Sequence, residues 1–395
     1  MKRLWKQLGI ATNWPVLVAV AVLSGLGLLT IWADSARSGS ADFKKHVVYL
    51  VVGVGCMAAF QGINYQKIGR FAIAFYAISL LLILYTVIGA TLAPRGVVIP
   101  GIHKVNGAYA WIFFGPASLQ PAELMKIAFV MVLARYLRFR SNYRTLYGLL
   151  PPFALAIVPL ALILKQPDLG TSLIFIPALF VMLFVAGAKI AHLLAIVGMG
   201  VALVPFMWLS GTDLPVFKYM PQLVRDYQRE RVYAMFKDDP RTLKDKGYQQ
   251  HNALIAYGSG GIAGKGAGRI DIGRSVPEGH NDMIFALVGE QFGFFGSATV
   301  LGAYLILFAA GIEISASTRE PFGKLLAVGV ISLLAGQTFI NLLVAVKLMP
   351  VTGVTLPFIS YGGSSLLASF MAAGLLLNIG QHRPLVMAKN AFEFA

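Results

Sequence analysis

The residues able to do chemistry fall at a few places in this chain. Asp282 ends the segment Pro277-Glu278-Gly279-His280-Asn281-Asp282, where a long polar stretch meets a new hydrophobic one. The stretch from Ser210 to Asp282 holds 9 of the 17 acidic and 11 of the 33 basic residues. A carboxylate at that junction is placed to take a proton from a hydroxyl held at a membrane surface. The same residue also suits a plainer role, capping the next helix against its dipole. Glu123 and Lys126 lie three residues apart, hence on one helix face, and either is costly to bury alone in lipid. Paired, they serve equally well as a lock between helices.

Two glycine-rich stretches follow. Tyr257 to Arg269 contains six glycines with Lys265 and Arg269. Exposed N–H groups and two cations suit an anion such as diphosphate, although from physics alone a flexible turn is the better reading. Walker spacing is missing. Pro350 to Ser365 breaks a hydrophobic region with two prolines and three glycines. Irregular backbone at membrane depth needs protein or a water-filled cavity around it, which would turn Ser360 inward; an outer turn is the alternative. The six histidines (His46, His103, His192, His251, His280 and His382) show no metal-ligand spacing, and no nucleophile elbow occurs. Catalysis would lean on carboxylates and cations. Glu290 reads as an interfacial or capped carboxylate, while His192, Gln337 and Asn341 read as polar groups satisfying neighbouring helices.

The elements that must position these groups are membrane helices. Hydrophobic residues make up 57% and charged residues 13%, with mean hydropathy +0.72, against about 25% charged in a soluble domain. Ten stretches are long enough to span hydrocarbon, near 15–33, 46–63, 71–91, 119–134, 146–164, 169–188, 190–209, 283–312, 325–346 and 361–380. The fourth is weak because it contains Glu123 and Lys126, and the fifth and sixth require a tight hairpin at Lys165-Gln166-Pro167-Asp168. With the N-terminus inside, the inner segments carry 14 Lys and Arg and the short outer ones 7. Both termini are therefore expected in the cytoplasm and the 210–282 loop outside. The expectation is an all-α polytopic membrane protein, with residues 1–395 a single membrane domain. Leu223, Tyr227, Val232, Met235 and Phe236 suggest an interfacial amphipathic helix closed by Asp239-Pro240. The first stretch is read as a retained span. Cys56 is the only cysteine, so no intrachain disulfide forms. The net charge of +16 reflects the inside-positive bias and anionic inner-leaflet lipid; no nucleic-acid motif appears.

Five motifs in order carry a resemblance: Gln120-Pro121-Ala122-Glu123-Leu124-Met125-Lys126, Gln166-Pro167-Asp168-Leu169-Gly170-Thr171-Ser172, Gly258-Ser259-Gly260-Gly261 with Gly264-Lys265-Gly266, Pro277 to Asp282, and Leu356-Pro357-Phe358-Ile359-Ser360-Tyr361-Gly362-Gly363-Ser364-Ser365. Over nearly its whole length the chain resembles the SEDS family (shape, elongation, division and sporulation). The glycine motifs are more similar to its RodA members than to its FtsW members. The resemblance implies a peptidoglycan glycosyltransferase of the bacterial cytoplasmic membrane. Such an enzyme polymerises lipid II at the outer face during cell-wall elongation and works beside a class B penicillin-binding protein. It implies that Asp282 is the essential loop aspartate and general base of an inverting displacement of undecaprenyl diphosphate. Glu123, Lys126, Asp168 and Trp111 match substrate-site positions. Lys126, Lys265, Arg269 and Arg231 are candidate cations for the leaving group. A divalent cation, Mg or Mn, held by Asp282 or the diphosphate, would help; no organic cofactor is expected. Three departures stand out. Ala110 replaces a family arginine before Trp111, Asn252-Ala253 replaces Gln-Ser, and Asn281 replaces threonine before Asp282. The first puts a cation contact in doubt. A lipid II flippase, a division-type polymerase and a non-catalytic scaffold remain the alternatives.

Overall fold

In hydrocarbon a backbone has no partner but itself, so apolar runs of this length become helices. The computed structural model describes residues 13–38, 42–97, 99–105, 107–115, 117–212, 214, 217–224, 226–236 and 247–382. Ten long helices, numbered here as spans, are Trp14–Ser38, Asp42–Gly62, Ala72–Leu92, Pro121–Phe139, Leu150–Lys165, Leu169–Ala186, Ile190–Leu209, Ile284–Ser317, Pro321–Ala345 and Gly363–His382. Among the described residues nine of them are long and apolar enough to cross a membrane. Span 4 is the tenth. Glu123, Lys126, Arg135 and Arg138 lower its apolarity, but spans 3, 5, 6, 9 and 10 all pack against it. Residues 125–134 are buried without a break. Its charges meet protein rather than lipid. Span 7 is its opposite, with Leu193 its one buried residue among those described.

Gln120, Asp168 and Asp282, which precede spans 4, 6 and 8, gather at one end of the bundle with Ser364 in the first turn of span 10. At the other end Arg135 donates to the Gly69 carbonyl, and Asn378 donates to Phe60 and accepts from the Tyr65 N–H. The hairpin between spans 5 and 6 forms with Pro167 at φ 32° and Asp168 capping span 6. Span 8 runs 34 residues but breaks at Gly293, whose φ of 61° and ψ of −151° are open only to glycine. The segment after span 3 contributes an antiparallel pair, β1 (Ile112–Phe114) and β2 (Ala117–Leu119), with Phe113 opposite Ser118.

Between spans 9 and 10 the chain runs without helix through protein, as the prolines and glycines require. Val354, Leu356, Phe358, Ile359 and Ser360 are buried there. Side chains from elsewhere meet its carbonyls. Gln337 donates to Thr355, Asn341 to Val354, Gln250 to Met349, Tyr304 to Pro357 and Arg231 to Val351. The loop between spans 7 and 8 has helices at Asp226–Phe236 and Tyr248–Ser259. Among its described residues the first buries none of its large apolar side chains: Phe236 is 74% exposed and Tyr233 51%. Arg229 anchors it instead, donating to the Trp208 and Ser210 carbonyls at the end of span 7. Asp239-Pro240 lies outside the described residues.

Spans 2 and 10 press together closely enough that a Cβ on Gly374 would stand 2.6 Å from the Met57 carbonyl oxygen. Gly374→Val is expected to cost about 1–3 kcal/mol, read as a lower melting midpoint in detergent. Gly302→Ala, facing nothing within 4 Å, should leave that midpoint unchanged.

Candidate active site

Asp282 sits just ahead of span 8, only 7% exposed. Its carboxylate accepts a hydrogen bond from Gln249 Nε2 at 2.8 Å, and the same amide donates to the Pro277 carbonyl at 2.9 Å. Its own carbonyl accepts from Asn341 Nδ2 at 2.7 Å. Side chain and backbone are therefore fixed by different elements, the loop helix and span 9. Burial pushes the carboxyl up to about 7; Glu278 adds to this, while the Asp282 N–H, Arg231 and Gln249 oppose it. A carboxylate poised there exchanges protons readily at neutral pH.

One helical turn below Asn341, Gln337 faces a second cluster. Lys126 Nζ lies 2.9 Å from Glu123 and donates to Gln337 Oε1 at 2.7 Å. Gln337 Nε2 in turn donates to Thr355 O at 3.0 Å and Ser365 Oγ at 3.1 Å. All of this is buried, so the ion pair survives on its additional hydrogen bonds. Beside it Asp168 accepts from the Thr171 N–H at 2.9 Å, the Thr171 hydroxyl at 2.8 Å and Gln120 Nε2 at 3.0 Å. Burial raises the Asp168 carboxyl above its ordinary value and the Thr171 donors hold it back. The Gln120 N–H donates to Ser364 Oγ, which donates to the Ser118 carbonyl, so β2 is tied to span 10 above this cluster. Trp111, half-buried, leads into β1. Ala110 is 1% exposed, so the position where the family has arginine is closed here.

Other candidates are placed differently. Arg231 is exposed, donates to the Val351 carbonyl at 2.8 Å and acts electrostatically on Asp282. Lys265 is not presented to an anion: its ammonium lies 2.5 Å from Glu290 and 3.7 Å from Asp271. Glu290 is not interfacial but wholly buried, accepting the backbone N–H groups of Asp271, Ile272 and Gly273 at 2.7–3.0 Å. The glycine-rich stretch is thus a structural clasp on span 8, and Arg269 stands exposed at its end. Ser360 is also engaged within the protein. Its buried hydroxyl accepts from the Leu356 N–H at 2.7 Å and closes a turn. Sequence reasoning gave no site role to Gln249 or His280 and read Gln337 and Asn341 as generic. His280 Nδ1 lies 3.2 Å from Asp34 of span 1. Burial works against its charged form, but Asp34, Glu278 and Asp42 outweigh that and hold the imidazole above its ordinary value. An apolar groove of about 650 Å³ between spans 6, 8 and 9 shares no lining residue with these clusters. Among the described residues no group of three or more His, Cys, Asp and Glu is arranged to hold a metal.

The sequence profile of the cell cycle proteins FtsW, RodA and SpoVE matches residues 12–384. The chain belongs to this family, the SEDS proteins. It is 32% identical to a probable peptidoglycan glycosyltransferase FtsW of Geobacter metallireducens, covering 92% of this chain and 93% of that protein. It is 32% identical to stage V sporulation protein E of Bacillus subtilis, covering 93% and 94%. Among solved structures it is similar to a chain of a peptidoglycan synthase complex that coordinates polymerization and crosslinking (TM-score 0.77, 28% identity, 95% of this chain and 99% of that one). It is also similar to the rod shape determining protein RodA of Thermus thermophilus (TM-score 0.67, 26% identity, 95% and 98%). Like other SEDS proteins, it is a multi-pass protein of the bacterial cytoplasmic membrane.

Lys126→Met would leave the Glu123 carboxylate buried without its cation. A loss of about 3–5 kcal/mol is expected, read as a lower melting midpoint. Glu123→Gln combined with Lys126→Met should recover most of that loss.

Proposed function

We infer that this SEDS protein is a peptidoglycan glycosyltransferase that polymerises lipid II. The observation carrying the reading is the buried Asp282 carboxylate at the end of the bundle, tuned near neutrality and fixed from two sides. An acceptor sugar hydroxyl attacks the anomeric carbon of the donor, Asp282 takes the hydroxyl proton, and the lipid diphosphate leaves with inversion. Arg231 is the loop cation whose field reaches Asp282, and it suits the charge building on the diphosphate. The Glu123–Lys126 pair carries no net charge, so its contribution is to hold Gln337, Thr355 and Ser365 in register beside Asp168. Among the described residues no group of carboxylates joins Asp282 to hold Mg or Mn. A divalent cation would travel on the diphosphate, with Asp282 no more than adjacent to it.

The partner proposed is a class B penicillin-binding protein, supported by the likeness to a chain of a synthase complex. An elongation role rests on the Gly258–Gly261 and Gly264–Gly266 forms; against it, the curated relatives quoted carry division and sporulation names. Imaging a fluorescent fusion decides between them, since sidewall signal supports elongation and signal confined to the septum replaces it with division.

Labelled lipid II with the purified chain and partner tests the chemistry. Asp282→Asn should lower polymer formation by at least about 100-fold at matched thermal stability. Equal polymer from both proteins would remove Asp282 from the mechanism, and no polymer from either with the partner bound would favour a flippase or scaffold. The rate should rise with pH through about 7, the value to which Asp282 is raised. The stability contribution of Asp282 runs the other way. Its raised folded-state value favours the protonated form, so that contribution falls as pH climbs from 3.8 towards about 7. Gln249→Leu removes a donor to the carboxylate and should move the rising limb to higher pH.

A further inference from the structure

The turn that ends in Asp282 is irregular and carries strain. Glu278 holds φ at 52°, and a Cβ on Gly279 would stand 3.1 Å from Leu287 Cδ1. Its internal bonds are few: Gly279 N–H to the Val276 carbonyl at 3.2 Å, and Asn281 N–H to the Glu278 carbonyl at 2.9 Å, with the Asn281 amide on the Glu278 carboxylate. Asn341 fixes the far end through the Asp282 carbonyl. The middle is held by one residue. His280 places Nδ1 3.2 Å from Asp34 Oδ2 at the outer end of span 1, and its carbonyl accepts the Tyr361 N–H at 2.9 Å. Its ring meets Tyr361 edge-on at 5.4 Å, and on the other side of Tyr361 stands His46 of span 2 at 6.1 Å. The charged and titratable groups facing His280 are Asp34 of span 1, Asp42 of span 2, Glu278 of its own turn and Tyr361.

We propose that His280 is a positioning residue for the reaction, latching the catalytic turn to span 1 through Asp34 so that Asp282 keeps its aim. The latch is sequence-remote and half-buried, and it joins the turn to spans on the far side of the chain from Gln249 and Asn341. With it, the turn is tied to span 1 as well as to Gln249, Asn341 and the Tyr361 N–H; without it, the tie to span 1 is lost. The inference rests on the reading of Asp282 as the base.

The test uses the full chain with its partner and labelled lipid II, comparing Asp34→Asn, His280→Leu, His280→Asn, the Asp34→Asn/His280→Leu double variant and Asp282→Asn. Displacing a catalytic group by a fraction of an ångström suggests losses of about tenfold in kcat for Asp34→Asn and His280→Leu, with KM changed less than about twofold. The double variant should be no slower than His280→Leu. His280→Asn, whose amide nitrogen sits where Nδ1 does, should regain most of the rate. Hydrogen exchange at the Gly279 and Asn281 amides should quicken in Asp34→Asn, a conservative change at a partly exposed site. Additive losses, a KM increase at unchanged kcat, or unchanged exchange would overturn the latch. Exchange is read without turnover, so a fully active Asp282→Asn would sink the catalytic reading while leaving the latch to be judged on exchange alone.

Discussion

The segment between spans 9 and 10 sets the terms for everything around it. It runs among helices without being one, so each buried carbonyl it carries needs a donor from another element. Five long side chains supply them: Gln250 and Arg231 from the outer loop, Tyr304 from span 8, and Gln337 and Asn341 from span 9. The last two also carry the candidate chemistry, because Gln337 holds Lys126 and Asn341 holds the Asp282 backbone. Satisfying the irregular backbone and aligning the two polar clusters are the same act of packing. Lose that strand of chain and both clusters lose their registration.

Charge inside the bundle follows a related logic. Span 4 carries four charged side chains because it touches five other spans and scarcely meets lipid. Glu290 remains ionisable in the core because a lysine and three backbone N–H groups converge on it. The Lys126, Arg135 and Arg138 cations are held by acceptors within the bundle and Glu290 by donors, so these partners are already engaged. Asp282 differs. One side chain and its own backbone stabilise it incompletely, and that shortfall is what leaves its proton mobile.

Much of this was legible in the sequence. Hydropathy located ten helices, and residue type at a polar boundary singled out Asp282. The Glu123–Lys126 spacing predicted a pair on one face, and the prolines around Thr355 predicted protein-enclosed irregular backbone. What escaped was long-range. The segment holding Lys265 looked like an anion cradle because its partner Glu290, 25 residues on, gave no local sign of being its counterion. Ser360 is buried, as the broken segment implied, but that its hydroxyl would be taken up by the Leu356 N–H could not be read from composition. Gln249, Gln337 and Asn341 are uncharged amides, common in any helix bundle, and His280 meets Asp34 across most of the chain. Averaged apolarity undervalued span 4 since it records composition, not what surrounds a helix.

The break at Gly293 divides span 8 into a short upper piece leading from Asp282 and a long lower piece with Leu305, Ile306 and Ile312 turned to lipid. The clasp secures the upper piece, the Lys265 and Gly266 N–H groups binding the Glu290 and Gln291 carbonyls just ahead of the break. A thicker or thinner bilayer is met by tilt of lipid-facing helix. The break lies between that lower piece and Asp282, so a bend of span 8 at Gly293 would spare the turn that carries the carboxylate.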